Sequence, residues 1–429
     1  MKNITRRRFV AIGTTAVAAT AMGFPMLSLG ASKRVVIVGG GIAGATAAKY
    51  LRLMDANVDI TVIEPKKTYT TCFLSNEVLW NHRNIDTIQF GYDALKKRAI
   101  NVVHDVVVNI DPDAKQVTIK GGAQFKYDAC VVSPGISFNW DAIENYTPET
   151  SKQLPHAYQA GPQTLLLRDQ LKAMKNGGTF VLVAPQNPFR CPPGPYERAS
   201  QIAWYFKNHK PKSKIIILDP KPKFSKMKLF TAGWEKYYGY NTSNSMIEWV
   251  GEADGGEVTR VDAKKMLAIT TSPYKGDVIN VIPPQKAGKI ALQTELVDES
   301  GWCPINHRTF ESNMQKDIYV IGDATIAAPM PKSGYAANSQ AKVCAAAIIA
   351  KFNGEPEPAP SLVNTCYSLI TPDHGISVAM VYNLGPRGKI QKVKGAGGLT
   401  PIDASDEMRK REVAYAYSWF KNITHDIFG

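Results

Sequence analysis

One stretch limits the fold of this chain more than any other: KRVVIVGGGIAGATAAKYLRLMDANVDITVIEP, residues Lys33–Pro65. Its first apolar run, Val35–Val38, reads as a strand buried on both faces. Gly39-x-Gly41-x-x-Gly44 follows, then a helical pattern, then a second apolar strand, Ile60–Ile63, that ends at Glu64. Gly39 permits a tight turn, and Gly41 lets backbone N–H groups approach a pyrophosphate at the helix N-terminus. Gly44 lets helix and strand pack closely. Glu64 stands where a carboxylate accepts both ribose hydroxyls, which disfavours a 2′-phosphate. A glycine fingerprint alone arises by chance, but strand, turn, helix, second strand and acid together define a dinucleotide-binding βαβ unit.

With 429 residues, the chain has room for two or three domains, each with its own core. Two later stretches bear on the cofactor. YDACVVSPG (Tyr127–Gly135) is an apolar strand that ends in a turn at Gly135, and KDIYVIGDA (Lys316–Ala324) is another, ending in Gly322-Asp323. Asp323 is positioned for the hydroxyls of a ribityl chain. PMPKSGYAANSQAKVCAAAIIAKF then opens a helix at Lys332, Ser333 and Gly334 whose free N–H groups can face a flavin pyrimidine ring. This combination resembles the flavoproteins of the glutathione reductase type. The resemblance implies an α/β fold with two dinucleotide-binding, Rossmann-like domains and a C-terminal α+β domain. It also implies FAD and a discontinuous FAD-binding domain, residues 31–150 and 281–355. Residues 151–280 form the inserted second domain, and 356–429 the C-terminal interface domain.

The insert echoes the first unit. TFVLVAP matches its first strand, PYERASQIAWYFKNH its helix, and KIIILDP its second strand, with Asp219 in the place of Glu64. The connecting loop, however, is PQNPFRCPPGP, with Gly194 as its only glycine. Proline donates no N–H and stiffens the loop against wrapping a pyrophosphate. NAD(P)H binding is therefore expected to be lost, and Cys191 occupies the vacated loop. Arg190 and the following helix N-terminus are expected to lower the Cys191 thiol pKa.

Six cysteines are present (Cys72, Cys130, Cys191, Cys303, Cys344 and Cys366), and none forms a Cys-x-x-Cys pair. That excludes a zinc ribbon, an iron–sulfur run and a haem-attachment site in this chain. Cys130 lies in an apolar strand and Cys344 in an alanine-rich helix, so both read as core thiols, and Cys303 as structural. On spacing alone, Cys191 and Cys366 fit either a structural disulfide or a redox pair above the flavin, and Cys72, a lone cysteine in a loop, reads as a packed thiol. His156 is either a proton relay or a hydrogen-bonded structural histidine. FSKMKLFTAGWEKYYGY and YAYSWFKNITHDIFG read as half-buried helices or as partner surfaces.

The strings TCFLSNEV, FRCPPGPYERAS, LPHAYQAGPQT, VINVIPPQKAGKIA, GWCPINHRTFES, VIGDATIAAPMPKSGYAANSQAKV, NTCYSLI and YAYSWFKNITHDIFG together resemble the flavoprotein subunit of flavocytochrome c sulfide dehydrogenases. The likeness runs through nearly the whole chain. It implies sulfide oxidation through a Cys191–Cys366 redox disulfide, with Glu197 as proton acceptor beside it. It also implies FAD linked through a thioether at Cys72, and a separate c-type cytochrome subunit that carries the haem c and accepts the electrons. Two alternatives are carried: a sulfide:quinone oxidoreductase, and a non-catalytic redox helper of a sulfur-oxidising system.

The N-terminus, residues 1–30, has TRRRFV ahead of an apolar stretch, Ala11–Leu29, and a small-residue end. The alternative is a membrane anchor, but the stretch is short and rich in Ala, Gly and Thr, so it reads as a twin-arginine export signal, a route that carries proteins already folded, and implies a periplasmic location. No later segment reaches the apolar length of a membrane span, so no transmembrane segment is expected in the mature chain. The formal net charge is +14, of which +10 lies beyond residue 30. That balance suits anionic substrates or acidic partners. No nucleic-acid module accompanies it, so nucleic acid is not an expected partner. No metal site is expected.

Overall fold

A computed structural model describes residues 32–429 of the chain. The export signal expected at residues 1–30 lies outside the described residues. From Lys33 onward the chain forms a single unit built on three sheets.

The first sheet is parallel and five-stranded, in the order Ile318–Val320, Ala129–Val132, Arg34–Val38, Asp59–Ile63, Asn101–Val103. Its central strands are apolar without alternation because both of their faces are buried. Val35, Ile37, Ile60, Val62 and Val131 are all inaccessible to solvent. The outermost strand, Ile318–Val320, is supplied from far along the sequence, which makes this domain discontinuous. The helices Ile42–Met54 and Gly334–Asn353 pack against each other on this sheet.

The second sheet repeats the plan with four parallel strands: Ile247–Val250, Lys214–Leu218, Thr179–Val183 and Val278–Val281. Each domain also carries an antiparallel three-stranded ribbon, Val107–Asp111 to Gln124–Lys126 in the first and Arg260–Asp262 to Pro273–Lys275 in the second. The chain crosses between the domains along a two-stranded ribbon, Ile136–Phe138 paired with Gln285–Ala287. Ile143, Tyr146 and Leu154 belong to the core beneath the second sheet. The domain break expected at residue 150 therefore falls earlier, at this ribbon. The sequence hid the shift because residues 139–155 form no long regular element, only 3-10 turns and loops.

The third sheet is antiparallel: Leu362–Thr371, His374–Leu384 and Ile390–Leu399, backed by the helix Asp406–Phe428. Leu362–Thr371 also packs against the helices Gly334–Asn353 of the first domain and Gly194–His209 of the second. All three domains meet along that strand. Among the described residues, no helix is long and apolar enough to cross a membrane.

Candidate functional site

The glycine turn has the geometry that the sequence implies. Gly39 adopts φ +96°, and a side chain there would come within 2.5 Å of the Ser133 carbonyl. A Cβ on Gly44 would stand 1.9 Å from the Gly39 carbonyl oxygen, so only glycine lets the helix start this close to the strand. Glu64 accepts the Gly40 N–H at 2.9 Å and the Lys66 N–H at 3.0 Å.

From this turn a groove of about 490 Å³ runs past Gly39, Gly41, Glu64 and Gly135. It continues into a second, more enclosed and largely apolar cavity. Ile42, Tyr69, Cys72, Ala160, Arg190 and Asp323 line both. Cys191, Cys366, Glu197, Ser333 and Gly334 line the far end. The expected site residues thus follow one path, from the ribose acid through Cys72 and Asp323 to the two cysteines. Gly44 lies behind the path.

Lys332 is the exception. Its ammonium donates to the carbonyls of Asp323 and Thr325, at 2.8 Å each, and sits 3.6 Å from the centre of the Trp302 ring. Burial pushes it down to about 8. It ties two loops together outside the groove. Its backbone takes part instead, since the Lys332 carbonyl accepts the Cys191 N–H at 2.8 Å.

The groove fits an extended dinucleotide. Asp323 has one carboxylate oxygen buried without a partner, and burial raises this carboxyl above its usual range against the pull of Arg190 and Lys332. A buried orphan acceptor on the wall of a groove calls for hydroxyl donors from a ligand. The glycine turn, Glu64 and Asp323 are the residues that would hold FAD. Ser333 caps the helix Gly334–Asn353 through the Ala336 N–H at 3.1 Å. That helix N-terminus lines the far cavity.

Cys191 sits at φ +56°, a region that side chains rarely adopt. Three hydrogen bonds hold it there: its N–H to the Lys332 carbonyl, and its carbonyl from the Gly194 N–H and the Tyr158 hydroxyl, each at 2.8 Å. Gly194 has a local reason, because a Cβ there would meet the Tyr158 hydroxyl at 2.7 Å and the Cys191 sulfur at 3.1 Å. Cys366 lies in the strand Leu362–Thr371 opposite Val378, with the Asn364 amide nitrogen 3.6 Å from its sulfur.

No S–S bond joins Cys191 and Cys366 in this structure, and both cysteines line one cavity. The expected lowering of the Cys191 pKa is overturned. Burial raises it, with Cys366 and Glu197 acting in the same direction, and Arg190 only partly opposes them. The Arg190 guanidinium is engaged with the Tyr158 carbonyl.

Glu197 accepts from the Leu369 N–H at 3.1 Å, Gln201 at 3.2 Å and Asn76 at 3.3 Å. It is a half-buried part of the cavity wall rather than a solvated first-turn acid. Burial pushes its pKa up to about 7, ahead of the opposing donors and of Lys226. His156 is buried, accepts the Tyr158 N–H at 3.0 Å through Nδ1 and is pushed down to about 3 by burial beside Arg198 and Arg190. It is a neutral, structural acceptor.

Sequence reasoning passed over Tyr158, Arg198 and Asn76, which also line the far cavity. Arg198 is buried and donates to Asn76, Asn280 and the carbonyls of His156 and Ala157. The signal for it was a charge in the middle of an otherwise apolar helix face.

The nucleotide place of the second domain is filled from within. Asp219, which stands where Glu64 does, accepts from Tyr196 at 2.6 Å and Trp249 at 3.0 Å and pairs with Lys221 at 2.6 Å. Phe224 stacks on Tyr196 with ring centres 3.7 Å apart.

Two dinucleotide-type domains, one with an open groove and one filled, and a cysteine pair at the groove's inner end define a flavoprotein of the pyridine nucleotide-disulfide oxidoreductase fold. Residues 33–160 match the family model of that name. Residues 164–283 match the central region of the sulfide dehydrogenase (flavocytochrome c) flavoprotein chain, and 358–428 match the flavin-binding region of flavocytochrome c sulfide dehydrogenase. The chain is 53% identical over 47 residues to the sulfide dehydrogenase (flavocytochrome c) flavoprotein chain of Chlorobaculum thiosulfatiphilum, covering 11% of this chain and 98% of that sequence. It is 23% identical over 346 residues to the mitochondrial sulfide:quinone oxidoreductase of Dictyostelium discoideum, covering 75% of this chain and 72% of that one. Its fold is similar to the crystal structure of the sulfide:quinone oxidoreductase of Aquifex aeolicus, with a TM-score of 0.70, 16% identity and 92% of each chain covered. This chain belongs to the family of flavocytochrome c sulfide dehydrogenase flavoprotein chains, FAD flavoproteins that oxidise sulfide.

Proposed function

We propose that the chain is an exported, periplasmic sulfide dehydrogenase subunit. It takes electrons from sulfide through a Cys191–Cys366 disulfide and passes them to a separate c-type cytochrome that carries the haem. The observation that carries this reading is one cavity lined by Cys191, Cys366, Glu197 and Cys72 at the inner end of a dinucleotide groove.

In the oxidised pair, hydrosulfide attacks one sulfur. A new S–S bond forms to that cysteine, the bridge breaks, and the other cysteine leaves as a thiolate. The attached sulfur starts as a perthiol, and Glu197, poised near neutrality, accepts its proton. The apolar wall keeps bulk water from the persulfide. When bound, FAD supplies the two-electron acceptor that lets the bridge reform and sulfane sulfur or polysulfide leave. Cys72, at the junction of groove and cavity, is the proposed thioether link. The filled second domain supports an acceptor other than NAD(P)H.

Anaerobic stopped-flow mixing with sulfide tests the reading. Prompt flavin bleaching is expected in the wild type, with loss of at least about 100-fold in rate in Cys191→Ser and Cys366→Ser. Bleaching that survives in both variants rejects the disulfide route. An unchanged wild-type spectrum would favour the helper role. Denaturation tests the link: flavin fluorescence should travel with the wild-type polypeptide and be freed in Cys72→Ala.

A quinone acceptor is the second reading, since two relatives that match most of this chain are named sulfide:quinone oxidoreductases.

A further inference from the structure

We infer that Lys226 is the counter-charge for anionic sulfur at Cys366, which makes it a positioning residue for the reaction. The inference rests on the dithiol chemistry proposed above. Lys226 immediately precedes the helix Met227–Tyr238 of the second domain and adopts φ +59°, a conformation unusual for a side chain. It is only 7% exposed. Its ammonium reaches into the C-terminal sheet, donating to the Ser368 hydroxyl at 2.8 Å and the Cys366 carbonyl at 3.4 Å.

Both acceptors are neutral. Among the described residues, no carboxylate comes within ion-pair distance of this ammonium. The face of the Phe230 ring, 5.8 Å from the ammonium, adds a weak contact; a buried cation held by neutral groups alone is costly unless negative charge appears nearby. The groups of negative sign that face it are Cys366, Glu197, Cys191 and Glu412, with Cys366 the strongest. The site is therefore prepared for a charge that arises during the reaction.

The surroundings of Cys366 point the same way. Asn364, two residues before it on the strand, offers its amide nitrogen, and the Ser333 hydroxyl at the cap of a first-domain helix donates to the Asn364 amide oxygen at 2.5 Å beside the sulfur. Glu197 faces it from the second domain, Tyr382 from the neighbouring strand, and Cys191 across the cavity. Lys226 is the one cation in that set. Burial raises the Cys366 thiol, and Lys226 is the largest influence pulling it back. Cys191 has less support. Its neighbour Arg190 is committed to the Tyr158 carbonyl, and Cys366, Glu197 and Cys72 all oppose a thiolate there. Of the two sulfurs, Cys366 is the one built to carry negative charge, as thiolate or persulfide anion.

The test uses flavin-loaded protein, reduced anaerobically with dithiothreitol and alkylated with iodoacetamide across a pH series. Peptide mass mapping gives the rate at each cysteine. In the wild type, Cys366 should reach half its limiting rate at a lower pH than Cys191. Lys226→Met should slow Cys366 about tenfold at pH 7 while leaving Cys191 unchanged, and Lys226→Arg should restore most of the rate. A Cys366 rate unaltered in Lys226→Met with its flavin spectrum intact overturns the assignment. If the methionine variant loses its flavin, the wild-type order decides, and a Cys366 that titrates at or above Cys191 overturns it. Alkylation needs no sulfide turnover. A protein that fails to oxidise sulfide yet shows these rates loses the proposed function and keeps this role for Lys226.

Discussion

At the scale of single residues, Glu197 serves two masters of opposite sign. Folding favours its neutral form, because burial lifts its pKa from the ordinary 4.5 to about 7. The folded chain then binds more protons than the unfolded one between those values, so stability falls as pH rises through that window, by at most about 3 kcal/mol. Accepting a proton from a perthiol requires the ionised form. Glu197→Gln should remove the slope: urea midpoints at pH 5 and pH 8 should move relative to the wild type, with the variant gaining at the higher pH. The same change should lower the rate of sulfide-driven flavin bleaching by about 100-fold and erase the Glu197 limb near pH 7. Hydrosulfide itself titrates in the neutral range, so the variant-to-wild-type ratio at each pH is the quantity to plot. A ratio flat across pH would remove Glu197 from the proton path. The residues that sequence reading picked out were those in unusual strings: a cysteine among prolines, a cysteine in TTCFLSNEV. Tyr158, Arg198 and Lys226 escaped because each is an ordinary residue in an ordinary pattern. Their roles come from contacts between domains, which no local spacing records.

At the scale of elements, the two βαβ units are one plan put to two uses. The first keeps its glycines, and their necessity is steric. Gly44→Ala should push the helix Ile42–Met54 off its strand, since the new Cβ would overlap the Gly39 carbonyl. Purified Gly44→Ala should carry at least about tenfold less flavin per chain by absorbance, and a normal flavin content would show that the turn has slack. The second unit fills its own nucleotide place with Tyr196, Phe224, Lys221 and Trp249 around Asp219. Tyr196→Phe leaves a buried carboxylate short of a donor and should cost about 1–3 kcal/mol in urea unfolding. NADH should not bleach the flavin in either form. The echo between the units was legible because strand and helix periods are local. The filling was not, since Trp249 reaches Asp219 from a strand 30 residues on and Phe224 closes over Tyr196 from a loop. The domain break was misread for a similar reason: the sequence marks the start of a strand better than the point where the chain changes cores.

At the scale of the whole molecule, the question is where the electrons leave. The first and second domains and the C-terminal sheet close around the two cysteines, so a partner must collect electrons at the surface rather than reach the sulfurs. Beyond residue 30 the chain carries a formal +10, and no described helix can cross a membrane. An acidic, soluble c-type cytochrome suits such a surface, and charge of this kind acts mainly on the rate of encounter. With sulfide as donor, reduction of a purified acidic c-type cytochrome should proceed without lipid. Its second-order rate should fall by at least about tenfold between 20 mM and 500 mM salt, because the attraction is screened over a few ångströms at the higher strength. Flavin bleaching by sulfide should change far less over the same range, since a small anion's entry does not depend on matching two charged protein surfaces. The competing quinone acceptor predicts another pattern: turnover that requires quinone in vesicles, with the cytochrome idle. Quinone-dependent turnover with no cytochrome reduction at any salt would transfer the chain to the quinone-reducing branch while leaving the sulfur chemistry intact. Salt-sensitive cytochrome reduction without lipid would assign the electrons to a haem partner.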